Sequence, residues 1–124
     1  MPDSAAHRQR ANENYQITTH RLAINDTDVD RAWIVTAYFY AALHWVEAYL
    51  ATQAPPLHPR NHTQRKQLIA ADPALSQIHP LYRELEDRSR DARYELRAFM
   101  VFEVETLRDR CLAPLRQYVA ALLP

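Results

Sequence analysis

The stretch DRAWIVTAYFYAALHWVEAYL, residues 30–50, decides the fold of this chain. It contains neither proline nor glycine, and apolar side chains would lie on nearly every side of the helix that it forms. A helix that is apolar all round has to be covered on all sides. We therefore expect residues 28–52 to form the central helix of an all-α protein.

The composition predicts the rest of the architecture. A length of 124 residues suits a single domain, residues 1–124, with its own hydrophobic core. The chain has eight prolines and no glycine. Glycine supplies the positive-φ positions of hairpin turns, so its absence disfavours a β protein and glycine-rich phosphate loops. The sequence predicts an antiparallel helical bundle of four to five helices.

Capping residues and prolines predict where the other helices begin and end. Further helices are expected at 4–24, 62–71, 80–96 and 98–122, with a short turn at 73–78. Thr27 and Asn61 are the expected N-caps of the second and third helices. Pro114 lies inside the last helical pattern and should kink that helix near Arg110. The buried stripe of the fourth helix is predicted to be Leu81, Leu85, Ser89, Ala92 and Leu96.

Charge and cysteine content limit the function and the compartment. The chain has 15 basic and 15 acidic residues, so phosphate binding would need a local cluster of positive charge. The single cysteine, Cys111, excludes an internal disulfide and suits a reducing cytoplasm. Thr36, His44 and Glu47 interrupt the longest apolar run, and the N-terminus has no apolar signal core. The expectation is a cytoplasmic protein without a membrane partner.

The first candidate site is the arginine-rich fourth helix. Arginine forks suit phosphate, and a tyrosine ring can stack on a base. The candidate binding residues are Arg83, Arg88, Arg90, Arg93 and Tyr94. The alternative is a solvated face, because five arginines and five acidic residues are mixed over residues 83–97. Arg88 lies near the apolar stripe, so it needs an acceptor such as Glu47, Glu95 or a phosphate.

The second candidate site is the more polar face of the central helix. Its residues, together with a histidine at the start of the third helix, are candidates for an interface or a cleft: Trp33, Thr36, Tyr40, His44, Glu47 and His62. A histidine and a glutamate three residues apart could form an acid–base pair. A buried polar network and a dimer seam are the alternatives.

Nothing in the sequence predicts a metal site or a cofactor. His58 and His62 are four residues apart, a spacing that suits a metal only when both lie on a helix. Pro59 makes a helix there improbable, and no further group of cysteines or carboxylates completes a ligand set.

Three segments in order resemble the HEPN superfamily of small helical domains. They are AYFYAALHWVEAYL at 37–50, HPRNHTQR at 58–65 and LYRELEDRSRDARYEL at 81–96, within a resemblance that covers about residues 28–122. The resemblance implies a HEPN-like bundle, homodimerisation through the central helices, and a nucleotide or RNA surface at that interface. It also implies a possible nucleotidyltransferase-like partner in a toxin–antitoxin pair.

The usual catalytic motif of that superfamily is missing from this chain. Many HEPN proteins are metal-independent ribonucleases with an arginine followed, after four to six residues, by a histidine. Here Tyr94 stands where that histidine could stand, and a phenol with a pKa near 10 is a poor general base at neutral pH.

The resemblance without this histidine favours a non-catalytic homodimeric module that binds a nucleotide, RNA or a partner protein. A divergent endoribonuclease is the alternative. It would need His44 or His62 to lie close to Arg88 or Arg90.

Overall fold

The computed structural model describes residues 2–24 and 27–124, and for residues 19–24 it describes the backbone alone. These residues form helices and no strand, which confirms the all-α prediction. The helices are α1 (Ser4–Ile24), α2 (Asp28–Leu50), α3 (His62–Ala71), α4 (His79–Tyr94), α5 (Val101–Leu107) and α6 (Ala113–Leu122), with a 3-10 turn at Leu75–Ile78 and a π-helical turn at Arg108–Leu112. Since α5, the π-helical turn and α6 follow one another without a break, the described chain packs as five helical rods. None of the described helices is long and apolar enough to cross a membrane.

Side-chain caps begin α2 and α3 where the sequence predicts. The Thr27 hydroxyl accepts a hydrogen bond from the Asp30 backbone N–H at 3.1 Å and donates one to the Asp30 carboxylate at 2.9 Å. The Asn61 side-chain oxygen accepts from the Gln64 N–H at 2.8 Å. Each cap satisfies an N–H group that has no partner within the helix.

Helix α2 is the central helix of the bundle, as expected. Its buried residues are Ile34, Val35, Thr36, Tyr38, Phe39, Ala41, Ala42, Leu43, Trp45, Val46, Ala48 and Leu50. Helices α1, α4, α5 and α6 all contact it. The start of α1 lies beside the end of α2, since His7 contacts His44, so these two helices run antiparallel.

The end of α4 differs from the prediction. The helix stops at Tyr94, and Leu96 adopts a left-handed φ of 51° with 90% of its surface exposed. The expectation that Leu96 is buried is therefore wrong, because the chain has left the helical face before it reaches this residue. The buried residues of α4 are Tyr82, Leu85, Glu86 and Ser89, a stripe rotated towards α2 and α3.

The C-terminal segment confirms a disruption near Arg110. The π-helical turn Arg108–Leu112 contains this residue and places Pro114 in the first turn of α6. Proline removes one backbone hydrogen bond here, and the wide turn before it, in which the Ala113 N–H donates to the Arg108 carbonyl, accommodates that loss. The apolar stripe within this wide turn and on both sides of it is buried: Val104, Leu107, Cys111, Leu115 and Val119. Cys111 is buried on this stripe, and burial raises the pKa of its thiol.

Candidate functional site

A buried polar network joins α1, α2, α3 and α4. Its members are His7, His44, Glu47, His62, Arg65 and Glu86. At its centre, Arg65 donates from Nε at 2.8 Å and approaches with Nη2 at 2.6 Å the same Glu47 oxygen, Oε1. The other oxygen, Oε2, lies 3.4 Å from His7 Nε2. Arg65 is 7% exposed, so this ion pair is largely withdrawn from water.

The two histidines of the network share one proton position. The Nδ1 atoms of His7 and His44 are 3.0 Å apart, so one nitrogen donates and the other accepts. His7 Nε2 faces the Glu47 carboxylate, which favours a proton on that nitrogen. In neutral His7, Nδ1 is then the acceptor and His44 Nδ1 is the donor. Burial lowers the pKa of both rings and so favours these neutral forms. At His7, the Glu47 charge acts in the opposite direction and raises the pKa.

His62 is held in a defined tautomer as well. Arg65 Nη1 lies 3.1 Å from His62 Nδ1, and a guanidinium can only donate. His62 Nδ1 is therefore the acceptor, and the proton of the neutral ring is on Nε2. Burial, followed by the Arg65 charge, lowers the pKa of His62.

Glu86 closes the network beside α3. Its side chain is 3% exposed, with Oε1 at 3.0 Å from Lys66 Nζ and 3.6 Å from Arg90 Nη2. Oε2 makes no hydrogen bond with any described residue and lies 4.0 Å from His62 Nδ1. His62 therefore approaches the arginine-rich helix, as the ribonuclease alternative requires. Its Nδ1 lies 4.0 Å from one oxygen of Glu86, and Arg90 Nη2 lies 3.6 Å from the other.

An open groove runs across α2 beside this network. It consists of two cavities, of about 480 and 340 Å³, that share Trp33 and Thr36. The first cavity is also lined by Asp28, Val29, Ala32, Ala92, Arg93, Leu96, Arg97 and Ala98, and the second by Arg10, Asn14, Ala37, Tyr40 and His44. We call the two cavities together the Trp33 groove. His44 belongs to both the groove and the buried network.

Arg93 brings an uncompensated positive charge to this groove. Its Nη1 donates to the Tyr40 hydroxyl at 3.2 Å, and its Nε and Nη2 donate to the carbonyl and hydroxyl of Ser89, both at 3.2 Å. Its guanidinium carbon lies 5.7 Å from the ring centre of Tyr40 and 5.1 Å from that of Tyr94. All these partners are neutral, and no carboxylate of the described residues pairs with Arg93.

The other arginines of the fourth-helix candidate site have acidic partners or lie in solvent. Arg88 contacts Glu84 at 3.6 Å and Asp91 at 3.3 Å, and Arg83 is exposed. The carboxylates beside Arg88 are therefore not the expected Glu47 or Glu95, and a phosphate partner stays a prediction. Glu47 is already paired with Arg65. Glu84 and Asp91 are one helical turn from Arg88, whereas Glu95 is two turns away. Mixed charge on this helix thus forms mostly short-range pairs, whereas Arg93 is free of them.

The candidate face of α2 is divided between the groove and the network. Trp33 is 66% exposed, whereas Thr36 is 6% exposed and donates to the Ala32 carbonyl at 2.9 Å. Tyr40 accepts from Arg93, while α1 and α3 cover His44 and Glu47. A ligand or a partner can therefore reach this face from Trp33 to Tyr40 and at the part of His44 that lines the second cavity.

The sequence interpretation missed three network residues: His7, Arg65 and Glu86. The sequence contained a signal for His7, because this residue lies one helical turn before Ala11, which is buried. Arg65 likewise lies four residues before buried Ile69. Charged residues on an apolar stripe are easily assigned to the surface, since they are rarely buried without a partner.

No group of three or more histidines, cysteines or carboxylates in the described part of the chain is arranged to hold a metal ion. No family model matches this sequence, and searches of curated proteins and of solved structures found no match. The resemblance to the HEPN superfamily therefore stays a prediction.

Proposed function

We propose that this chain is a HEPN-like, non-catalytic module that binds a nucleotide or single-stranded RNA in the Trp33 groove. The observation that carries the proposal is Arg93, whose guanidinium lies near two tyrosine rings and pairs with no carboxylate of the described residues. A guanidinium in this setting suits a phosphate. The exposed ring of Trp33 on the same cavity offers a surface on which a base can stack.

The second cavity extends the same chemistry along α2. Arg10 lines it together with Tyr40 and His44. Cationic groups alternating with aromatic rings are the arrangement by which proteins hold single strands without reading their sequence. The formal net charge of zero does not oppose this, because three arginines, Arg10, Arg93 and Arg97, and one carboxylate, Asp28, line the two cavities. Arg10 also approaches the exposed Glu13 at 3.5 Å.

The test is binding of a fluorescein-labelled oligouridylate, measured by anisotropy at low salt. Arg93→Gln should weaken binding about tenfold or more, since it removes a phosphate contact. Trp33→Ala should weaken it by about fivefold or more through lost stacking. Arg83→Gln is the matched control on the same helix and should change affinity less than about twofold. Absence of saturable binding by the unaltered protein would overturn the proposal.

The homodimer that belongs to this proposal draws support from exposed apolar side chains in and after the groove. Val29 and Leu96, 67% and 90% exposed, line the first cavity, and Met100 and Phe102, 70% and 76% exposed, follow Leu96 along the chain. Large exposed apolar side chains are candidates for an interaction site. Sedimentation equilibrium should give twice the monomer mass, and Phe102→Glu should give the monomer. A monomer at all concentrations would remove the homodimer from the proposal.

The endoribonuclease alternative retains one supporting observation. His62 is partly exposed, burial and then the Arg65 charge lower its pKa, and its Nδ1 lies 4.0 Å from Glu86, the carboxylate that Arg90 approaches at 3.6 Å. The ring could act as a base towards a bound phosphodiester once Nδ1 is released from Arg65, because that nitrogen holds its lone pair. RNA cleavage that persists in EDTA and is lost in both His62→Ala and Arg90→Ala would favour the enzyme over the binding module.

A further inference from the structure

The second cavity of the Trp33 groove contains a hydrogen-bond acceptor whose protonation is fixed by neighbours. The Glu47 carboxylate lies 3.4 Å from His7 Nε2 and favours a proton on that nitrogen, so that His7 Nδ1 accepts from His44 Nδ1. The lone pair of neutral His44 is therefore on Nε2. This nitrogen makes no hydrogen bond with any described residue, and His44 lines the cavity.

The cationic groups of the groove have the opposite character. Arg10 and Arg93 can only donate hydrogen bonds. The Tyr40 hydroxyl already accepts from Arg93, and the Thr36 hydroxyl donates to a backbone carbonyl. His44 Nε2 is thus an acceptor beside the two arginines and, like the lone pairs of the Thr36 hydroxyl, it favours a ligand group that carries a hydrogen.

The spacing along α2 relates this acceptor to the phosphate position. Tyr40 and His44 are one helical turn apart, which puts their Cβ atoms about 5–6 Å from each other. Arg93 lies on the Tyr40 ring. A nucleotide whose phosphate reaches Arg93 can therefore place its sugar beside His44. The group of a nucleotide sugar that can donate here, and that DNA lacks, is the ribose 2′-hydroxyl.

We infer that His44 accepts a hydrogen bond from the ribose 2′-hydroxyl, so that the groove prefers ribonucleotides to deoxyribonucleotides, a property that rests on the proposed nucleotide binding. His44 is the group in contact with the ligand. His7 and Glu47 are positioning residues, because they set which nitrogen of His44 carries the proton.

The experiment compares an oligouridylate with its 2′-deoxy counterpart, so that the two probes differ only in the hydroxyl. The unaltered protein should prefer the ribose form by about five- to tenfold, the value of one hydrogen bond. His44→Phe should remove the preference while both probes still bind through Arg93 and Trp33. Circular dichroism and urea unfolding establish that the variant is folded.

Two substitutions of His7 separate positioning from folding. Asparagine can still place an oxygen near His44 Nδ1, so His7→Asn should keep the ratio of the two affinities. Leucine offers no acceptor, so His7→Leu should reduce the ratio towards one.

Equal binding of both probes by the unaltered protein would overturn the role of His44 and leave the proposed function standing. Binding of neither probe would overturn both. A His7→Leu protein that keeps the full ratio would overturn the positioning role of His7.

Discussion

The buried network and the arginine-rich face of α4 contain the same kinds of side chain in opposite surroundings. Arg65 and Glu47 meet with 7–9% and 14% of their surfaces exposed, whereas Arg90 is 51% exposed beside its partner Glu86. Charges taken out of water depend on each other, while charges in water are already stabilised by it. The two regions should therefore respond very differently to the loss of one partner. Their ion-pair distances differ as well, 2.6 Å for Arg65 and Glu47 against 3.6 Å for Arg90 and Glu86.

The largest expected effect is that of Arg65→Met. This change leaves Glu47 buried without its cation, which should lower the free energy of unfolding by about 3–5 kcal/mol in urea titrations. The matched control is the double variant Glu47→Leu with Arg65→Met, which removes both charges. It should recover much of the loss, because no charge is then left unpaired. A single variant within about 1 kcal/mol of the unaltered protein would show that water reaches this pair freely.

A change of pH should produce the next largest effect, again through the network. The folded state lowers the pKa of His7, His44 and His62, chiefly by burial, so below about pH 6.5 the unfolded chain binds more protons. Stability is therefore expected to be constant above that pH and to fall as the pH drops below it. The groups that face the His7–His44 pair are Asp3, Arg10, Glu47, His58 and Arg65.

Thermal unfolding at a series of pH values measures this effect. His44→Phe should flatten part of the decline, because one of the depressed histidines is gone. A melting temperature that stays constant from pH 7.5 to 5 would mean that the histidines are well solvated, which contradicts the comparison.

The smallest effect is expected for Arg88→Ala on the face of α4. Its partners are side chains of the same helix, 3.3 and 3.6 Å away, and its own side chain is 29% exposed. Exposed pairs of this kind contribute about 0–1 kcal/mol and weaken in salt. Urea unfolding with and without 0.5 M salt checks this. A loss comparable to that of Arg65→Met would erase the distinction between the two regions.

Most of the fold follows from local signals in the sequence. The caps at Thr27 and Asn61 can be recognised from a few neighbouring residues, and the structure confirms both. Pro114 predicted a disruption near Arg110 in the same local way, and a π-helical turn lies there. The end of α4 was mistaken because Leu96 continues the apolar spacing, although the chain has already turned away. Spacing alone does not reveal that a residue has left the helix.

The candidate sites were only partly predictable. The polar face of α2 pointed to Tyr40, His44 and Glu47 because polar residues on an apolar helix need partners. The partners themselves, His7 and Arg65, lie 37 and 18 residues away along the chain from the groups that they contact. Such pairings depend on how whole helices pack, which no local spacing encodes.

Leu96 has a left-handed backbone conformation and an exposed apolar side chain, so a change at this one residue affects both folding stability and association. A leucine is strained in this conformation by about 1 kcal/mol or more, whereas a glycine is not. Leu96→Gly would relax the backbone, but it would also delete the most exposed apolar side chain of the described chain. Leu96→Gly should therefore give a more stable monomer that associates more weakly through this surface.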